Sequence, residues 1–266
     1  MGEVIVVTSG KGGVGKTTTS ANLGCGLADL GKSVVLIDAD IGLRNLDVVM
    51  GLENRIVFDL VDVVEGKCRV RQALIQDRRF KNMYLLAAAQ TKDKSAVTPE
   101  QMVKLCASIV DDYDYIIIDC PAGIEQGFKN AVSAASRAIV VATPEVSSVR
   151  DADRIVGLLE AEEKINTIQL VLNRIRPDLV KRGEMMGLED VVDILAIDVL
   201  GIVPDDETIV VTTNRGEAAV AVANSRAGAA FRNIAQRIID KDVPLLEIGD
   251  EAGFKSKLKK IFRKGN

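Results

Sequence analysis

Seven short runs of Val, Ile and Leu punctuate the chain, at 4–8, 33–38, 83–88, 115–120, 138–143, 168–173 and 199–204. They are nearly continuous rather than alternating, as strands read when helices cover both of their faces. Longer stretches with helical spacing fall between them, at 17–30, 99–111, 125–135, 147–162 and 225–239. Pro99 opens its stretch, where a helix tolerates proline. The alternation predicts right-handed crossovers and an α/β fold, a single doubly wound, mostly parallel sheet flanked by helices. No Gly/Ser/Pro-rich linker and no internal repeat interrupts it. We read 1–240 as one domain, 241–251 as a connector holding Pro244 and Gly249, and 252–266 as a terminal amphipathic helix.

Composition narrows the chemistry. The 266 residues are 47% hydrophobic and 27% charged, with a net charge of −4, which excludes a disordered chain. No apolar run reaches the ~18 residues of a membrane-spanning helix. The opening residues run straight into a strand-like segment, so no leader is expected. Cys25, Cys68, Cys106 and Cys120 are scattered without a CxxC, which fits a reducing compartment. The chain has no histidine, which removes every mechanism that needs imidazole.

The residues Gly10-Lys11-Gly12-Gly13-Val14-Gly15-Lys16-Thr17 satisfy GxxxxGK[ST], placed after a strand and opening a helix. Glycines let consecutive N–H groups curl around a phosphate, and the helix start adds partial positive charge. Lys16 suits the β and γ phosphates and the Thr17 hydroxyl suits Mg²⁺. The nested Gly10-x-Gly12-x-x-Gly15 also fits a dinucleotide fingerprint, but that reading leaves Lys16 and Thr17 unexplained.

Two further strands end in acids. Asp119 closes 115–119, on the sheet edge where the phosphate loop lies, and can hold the Mg²⁺ shell. Pro121-Ala122-Gly123 after it suits a loop that senses the γ phosphate. Asp38 and Asp40 end 33–38 on the same edge. Without histidine, a carboxylate is the natural group to orient water. We assign that to Asp40, and Mg²⁺-shell support to Asp38.

Lys11 follows the first glycine, and GKGGVGKTT resembles the deviant Walker A of the ParA/MinD ATPases. The segments DADIGLRNLDVVMG (38–51), DCPAGIE (119–125), PEVSSVRDADRI (144–155), LVLNRIRP (170–177) and GIVPDDE (201–207) place the chain nearer the MinD branch. The resemblance covers essentially the whole chain. It implies a homodimer closed by ATP and Mg²⁺, with Lys11 reaching the partner's phosphates. It implies that Lys11, Gly12, Gly13, Val14, Gly15, Lys16, Thr17 and Thr18 bind nucleotide, with Asn173, Pro204 and Asp205 around the adenine. Gly42, Arg44, Asn45 and Glu145 match segments at the dimer interface. Position 120 is Cys, where many members of the family have a different small residue; the departure is expected to change little, although a thiol beside the site is oxidisable. The implied partners are a MinC-like division inhibitor and a MinE-like ATPase activator. The alternative within the family is a ParA-like DNA-partition ATPase, which needs a basic dimer surface. An iron protein of this fold would need a bridging cysteine pair, and an amide ligase a substrate pocket; neither has a signature here.

The last residues carry the contrast with that alternative. Phe254, Leu258, Ile261 and Phe262 fall within one arc of about 100° of a helix. Lys255, Lys257, Lys259, Lys260, Arg263 and Lys264 fill the rest, with no acid between 253 and 266. That pattern predicts an in-plane helix on an anionic membrane, with Phe254, Lys255, Leu258, Lys259, Ile261, Phe262 and Arg263 at the lipid. The remainder is acidic, so no specific nucleic acid is expected. The expected location is cytoplasmic, peripheral on the inner membrane face when ATP-bound, in a bacterium or in a plastid stroma.

Overall fold

The computed structural model describes residues 2–240 and 242–247. The terminal helix predicted at 252–266, with Phe254, Lys255, Leu258, Lys259, Ile261, Phe262 and Arg263, lies outside the described residues, as do parts of the connector. One eight-stranded sheet organises the rest. Its strands are β1 (Glu3–Thr8), β2 (Val34–Asp38), β3 (Ile75–Gln76), β4 (Met83–Leu86), β5 (Tyr115–Asp119), β6 (Arg137–Ala142), β7 (Thr167–Ile175) and β8 (Asp198–Pro204). Their spatial order is β3-β4-β2-β5-β1-β6-β7-β8. Every neighbouring pair is parallel except β3 with β4.

The seven predicted runs are the seven parallel strands, and their double burial explains why they read as continuous. In β1, Val4 and Val6 face one core, while Ile5 and Val7 face the other. In β5, Ile116 and Ile118 share the first core and Ile117 the second. Helices Pro99–Ala107, Gln126–Ser133, Val146–Glu160 and Leu188–Leu195 cover the first face. Lys16–Asp29 and Arg226–Ile239 cover the second, with Phe231 and Ile234 fully buried.

Several elements lie outside the sequence reading. Between 40 and 80 the chain forms helices Leu46–Met50, Leu60–Val64 and Val70–Ala73, and then β3. Pro177–Lys181 and Thr208–Asn214 are further short helices, and Leu188–Leu195 is a longer one. The helix expected at 99–111 ends at Ala107, and Ser108, whose hydroxyl donates to the Leu105 carbonyl at 2.7 Å, begins the turns that follow.

Residues of the connector are fastened to the last helix. The Asn233 amide donates to the Pro244 carbonyl at 3.0 Å and accepts from the Leu246 N–H at 3.3 Å. The Arg237 guanidinium donates to the carbonyls of Leu200 at 2.9 Å, Val199 at 3.3 Å and Val243. No helix among the described residues is long and apolar enough to cross a membrane.

Candidate nucleotide and metal site

β1 is flanked by β5 and β6 near the middle of the sheet, so the loop that leaves it starts from a well-held strand. That loop ends at Gly15, whose φ of +102° is a region glycine adopts without strain. Gly13 is also left-handed, at φ +78°, and a Cβ there would meet nothing within 4 Å. Gly15 precedes the helix Lys16–Asp29 and gives it no side-chain cap. The first-turn N–H groups therefore face the loop's concave side uncapped, the arrangement that binds anions.

Lys16 is buried, and its ammonium donates to Ser9 Oγ at 3.0 Å. Ser9 Oγ in turn donates to the Lys11 carbonyl at 2.8 Å, which ties the loop's two ends together. Thr17 Oγ1 donates to Asp119 Oδ2 at 2.7 Å, and Ser20 Oγ donates to Asp119 Oδ1 at 2.9 Å. Asp119 pairs in register with Asp38 across β5 and β2. Burial raises the pKa of Asp119 above the usual carboxylate range, and the Asp38 charge raises it further. Burial likewise raises Asp38, although backbone N–H groups of Asp40, Asn45 and Leu46 bond to it.

A divalent cation would relieve two buried acids held together in this way. The residues present therefore fit Mg²⁺ and a polyphosphate. The Thr17 hydroxyl donates its hydrogen bond to Asp119 and keeps its lone pairs for a metal.

A family profile for the CobQ/CobB/MinD/ParA nucleotide binding domain matches residues 5–220. The septum site-determining protein MinD of Bacillus subtilis is 59% identical over 264 residues, covering 98% of each chain. The chain belongs to the MinD family. Among solved structures, the MinC:MinD cell division protein complex of Aquifex aeolicus aligns with a TM-score of 0.86 at 49% identity, over 93% of this chain and 100% of that one. The septum site-determining protein MinD complexed with Mg-ADP from Pyrococcus horikoshii aligns at 0.82 and 29% identity, over 91% and 97%. MinD-family membership makes this a P-loop nucleotide-binding chain of the cell-division ATPase class.

Of the remaining predicted residues of this MinD-family chain, Asn173 contacts the loop directly. Asn173 Nδ2 donates to the Val14 carbonyl at 2.7 Å, and a Cβ on Gly15 would lie 2.4 Å from that nitrogen. Pro204 ends β8 opposite Ile175, and the Asp205 N–H donates to the Ile175 carbonyl at 3.0 Å. The Thr18 carbonyl accepts from Asn22 Nδ2 at 2.9 Å, on the helix body. Asp40 sits beside Asp38 through its own N–H. Lys11 does not lie with Lys16: its ammonium meets Glu145 Oε2 and Ser147 Oγ, each at 3.2 Å, on the exposed rim. Arg44 pairs with Asp47 of the helix Leu46–Met50 at 2.8 Å, so its cation is held by the adjoining helix.

The structure adds residues that the motif reading missed. Ser20 follows Lys16 by four positions and Thr17 by three, a helical spacing that could have exposed it. Ser9 and Ser147 carry no such signal. Asp206, next to the predicted Asp205, accepts from Thr208 N–H, Ser225 Oγ and Ala227 N–H. Burial alone would raise its pKa, but these bonds hold it at about 2. Cys120 is buried, and burial pushes its thiol up to about 12, so it is not a reactive thiolate beside the site.

Proposed function

We propose that the chain is a Mg²⁺-dependent ATPase that dimerises on ATP and so attaches to the inner face of an anionic membrane to control septum placement. The observation that carries the reading is the meeting of Lys16, Thr17 and Asp119 beside an uncapped helix start. Lys16 holds the β and γ phosphates, while the loop from Gly12 to Thr18 supplies N–H donors. Thr17 and Asp119 take the Mg²⁺ shell, with Asp38 supporting it. When bound, Mg²⁺ neutralises charge on the phosphate oxygens. Asp40 orients the attacking water, and Asn173, Pro204 and Asp205 frame the adenine. Lys11 leaves Glu145 and reaches the partner's phosphates, so triphosphate and dimer are completed together.

The membrane step follows from magnitudes. Each cation near an anionic surface contributes about 1 kcal/mol, and that is screened by salt. The four apolar side chains of residues 252–266 insert only partly, and a short helix must be ordered to insert at all. One tail therefore binds marginally. Two tails on one dimer gain an effective-concentration factor on the order of 10²–10⁴. ATP then switches membrane attachment without changing the tail. The solved MinC:MinD cell division protein complex of Aquifex aeolicus supports a MinC-like division inhibitor as partner of the attached dimer. A MinE-like activator would release it by stimulating hydrolysis.

Co-sedimentation with anionic vesicles tests the reading. Binding should be strong with ATP, weak with ADP and lost on deletion of 253–266. If Lys11→Ala, with its tail intact, bound as tightly as the unmodified chain with ATP, avidity would not be the mechanism. DNA binding in place of vesicle binding would favour the partition reading.

A further inference from the structure

β7 shifts register against β8 twice, between Leu170 and Val171 and again between Leu172 and Ile175, and at the second shift β7 holds the extra residue. From Leu172 to Ile175 it advances three residues, while β8 advances two, from Ile202 to Pro204. Such a bulge bends a strand and re-aims a side chain, often beside a functional site. Arg174 lies within it at φ +58°. Among the described residues one other non-glycine, Ala196, is left-handed, and it closes the helix Leu188–Leu195 in an ordinary way. A strained residue inside a strand needs a different reason.

The reason lies one residue earlier. The Arg174 N–H donates to Asn173 Oδ1 at 3.0 Å. With its oxygen held there, the Asn173 amide presents its NH₂ to the loop, where it donates to the Val14 carbonyl at 2.7 Å. Val14 precedes Gly15, the left-handed residue that ends the phosphate loop, and Asn173 Nδ2 fills the place a Gly15 Cβ would occupy. The Arg174 guanidinium is exposed, and it has no hydrogen-bond or ion-pair partner among the described residues. What the position contributes is its backbone.

We infer that Arg174 is a positioning residue for nucleotide binding: its left-handed backbone fixes the Asn173 amide, which fixes the carbonyl of Val14 and so the curl of the loop. This rests on the reading that residues 10–17 bind adenine nucleotide. Its test is therefore calorimetry of Mg-ADP uptake by the full chain, beginning with the unmodified protein. No uptake there would defeat the nucleotide reading itself, before any variant is compared.

Arg174→Gly and Arg174→Ala both remove the guanidinium and differ chiefly in their tolerance of positive φ. Arg174→Gly should bind about threefold more tightly than Arg174→Ala, and about tenfold more tightly than the β-branched Arg174→Val. The readout that a merely structural role would not move is coupling. In an Asn173→Ala background the spread among the three should collapse to within about twofold, because the amide they orient is gone. Should Arg174→Val fail to fold, the Gly and Ala pair carries the comparison in both backgrounds. Equal weakening by Gly and Ala would assign the effect to the guanidinium and overturn the inference. An undiminished spread without the Asn173 amide, or equal binding by all variants, would overturn it as well.

Discussion

Two lysines five residues apart in one loop are held in opposite ways. Lys16 is 8% exposed and donates to a serine inside the loop. Lys11 has a side chain 42% exposed, and it meets Glu145, itself 58% exposed, from a different element. A solvated ion pair of this kind contributes about 0–1 kcal/mol, so Lys11 can leave it at little cost. A buried ammonium whose neighbours are organised around it has no such alternative. The loop therefore joins a fixed cation to a releasable one. The fixed cation suits a ligand bound by the chain alone, and the releasable one suits a contact made only when something new arrives.

The largest expected effect breaks this contrast directly. Lys16→Ala should weaken Mg-ADP binding by about 30-fold or more, read by calorimetry, because a buried charge contact is truncated. Lys11→Ala should weaken it by less than about twofold, and a comparable loss would erase the distinction between the lysines.

Next comes the buried carboxylate behind Lys16. Asp119 and Asp38 titrate above the ordinary carboxylate value of 3.8 in the folded chain. Between that value and neutrality the folded chain therefore holds more protons than the unfolded one. Stability of the nucleotide-free, Mg²⁺-free protein should fall as pH rises through that window. Asp119→Asn should flatten the fall and raise stability at pH 7 by on the order of 1 kcal/mol in urea titrations, while abolishing the gain in nucleotide affinity from Mg²⁺. A pH profile unchanged by the substitution would mean that Asp119 is not the titrating group.

The smallest expected effect sharpens the other side. Glu145→Ala should change urea-unfolding stability by less than about 0.5 kcal/mol and leave Mg-ADP affinity within about twofold. A loss above about 2 kcal/mol would show that the exposed pair is structural rather than a resting place for Lys11.

What could be read from the sequence follows the same division. The seven parallel strands were legible because double burial leaves few polar positions within them, and the loop because its chemistry demands glycines, a lysine and a threonine at fixed spacing. β3 was not, since two residues carry no period, and its antiparallel pairing to β4 depends on where the chain returns. The short helix Leu46–Met50 is held from outside itself: Asp38, at the adjoining strand end, accepts from the N–H groups of Asn45 and Leu46. The bulge at 173–174 was hidden because arginine in a strand predicts nothing left-handed. Likewise, no local pattern links Lys11 to Glu145 across more than a hundred residues.

The fastening of residues 243–246 by Asn233 and Arg237 has a mechanical consequence. Any pull on the chain beyond Glu247 is delivered to the end of the last helix and, through the carbonyls of Val199 and Leu200, to the outermost strand of the sheet. That strand lies two away from β6 and three from the one bearing the phosphate loop. Such a pull therefore enters the sheet at its rim, three strands from the phosphate loop, on the strand that ends in Pro204.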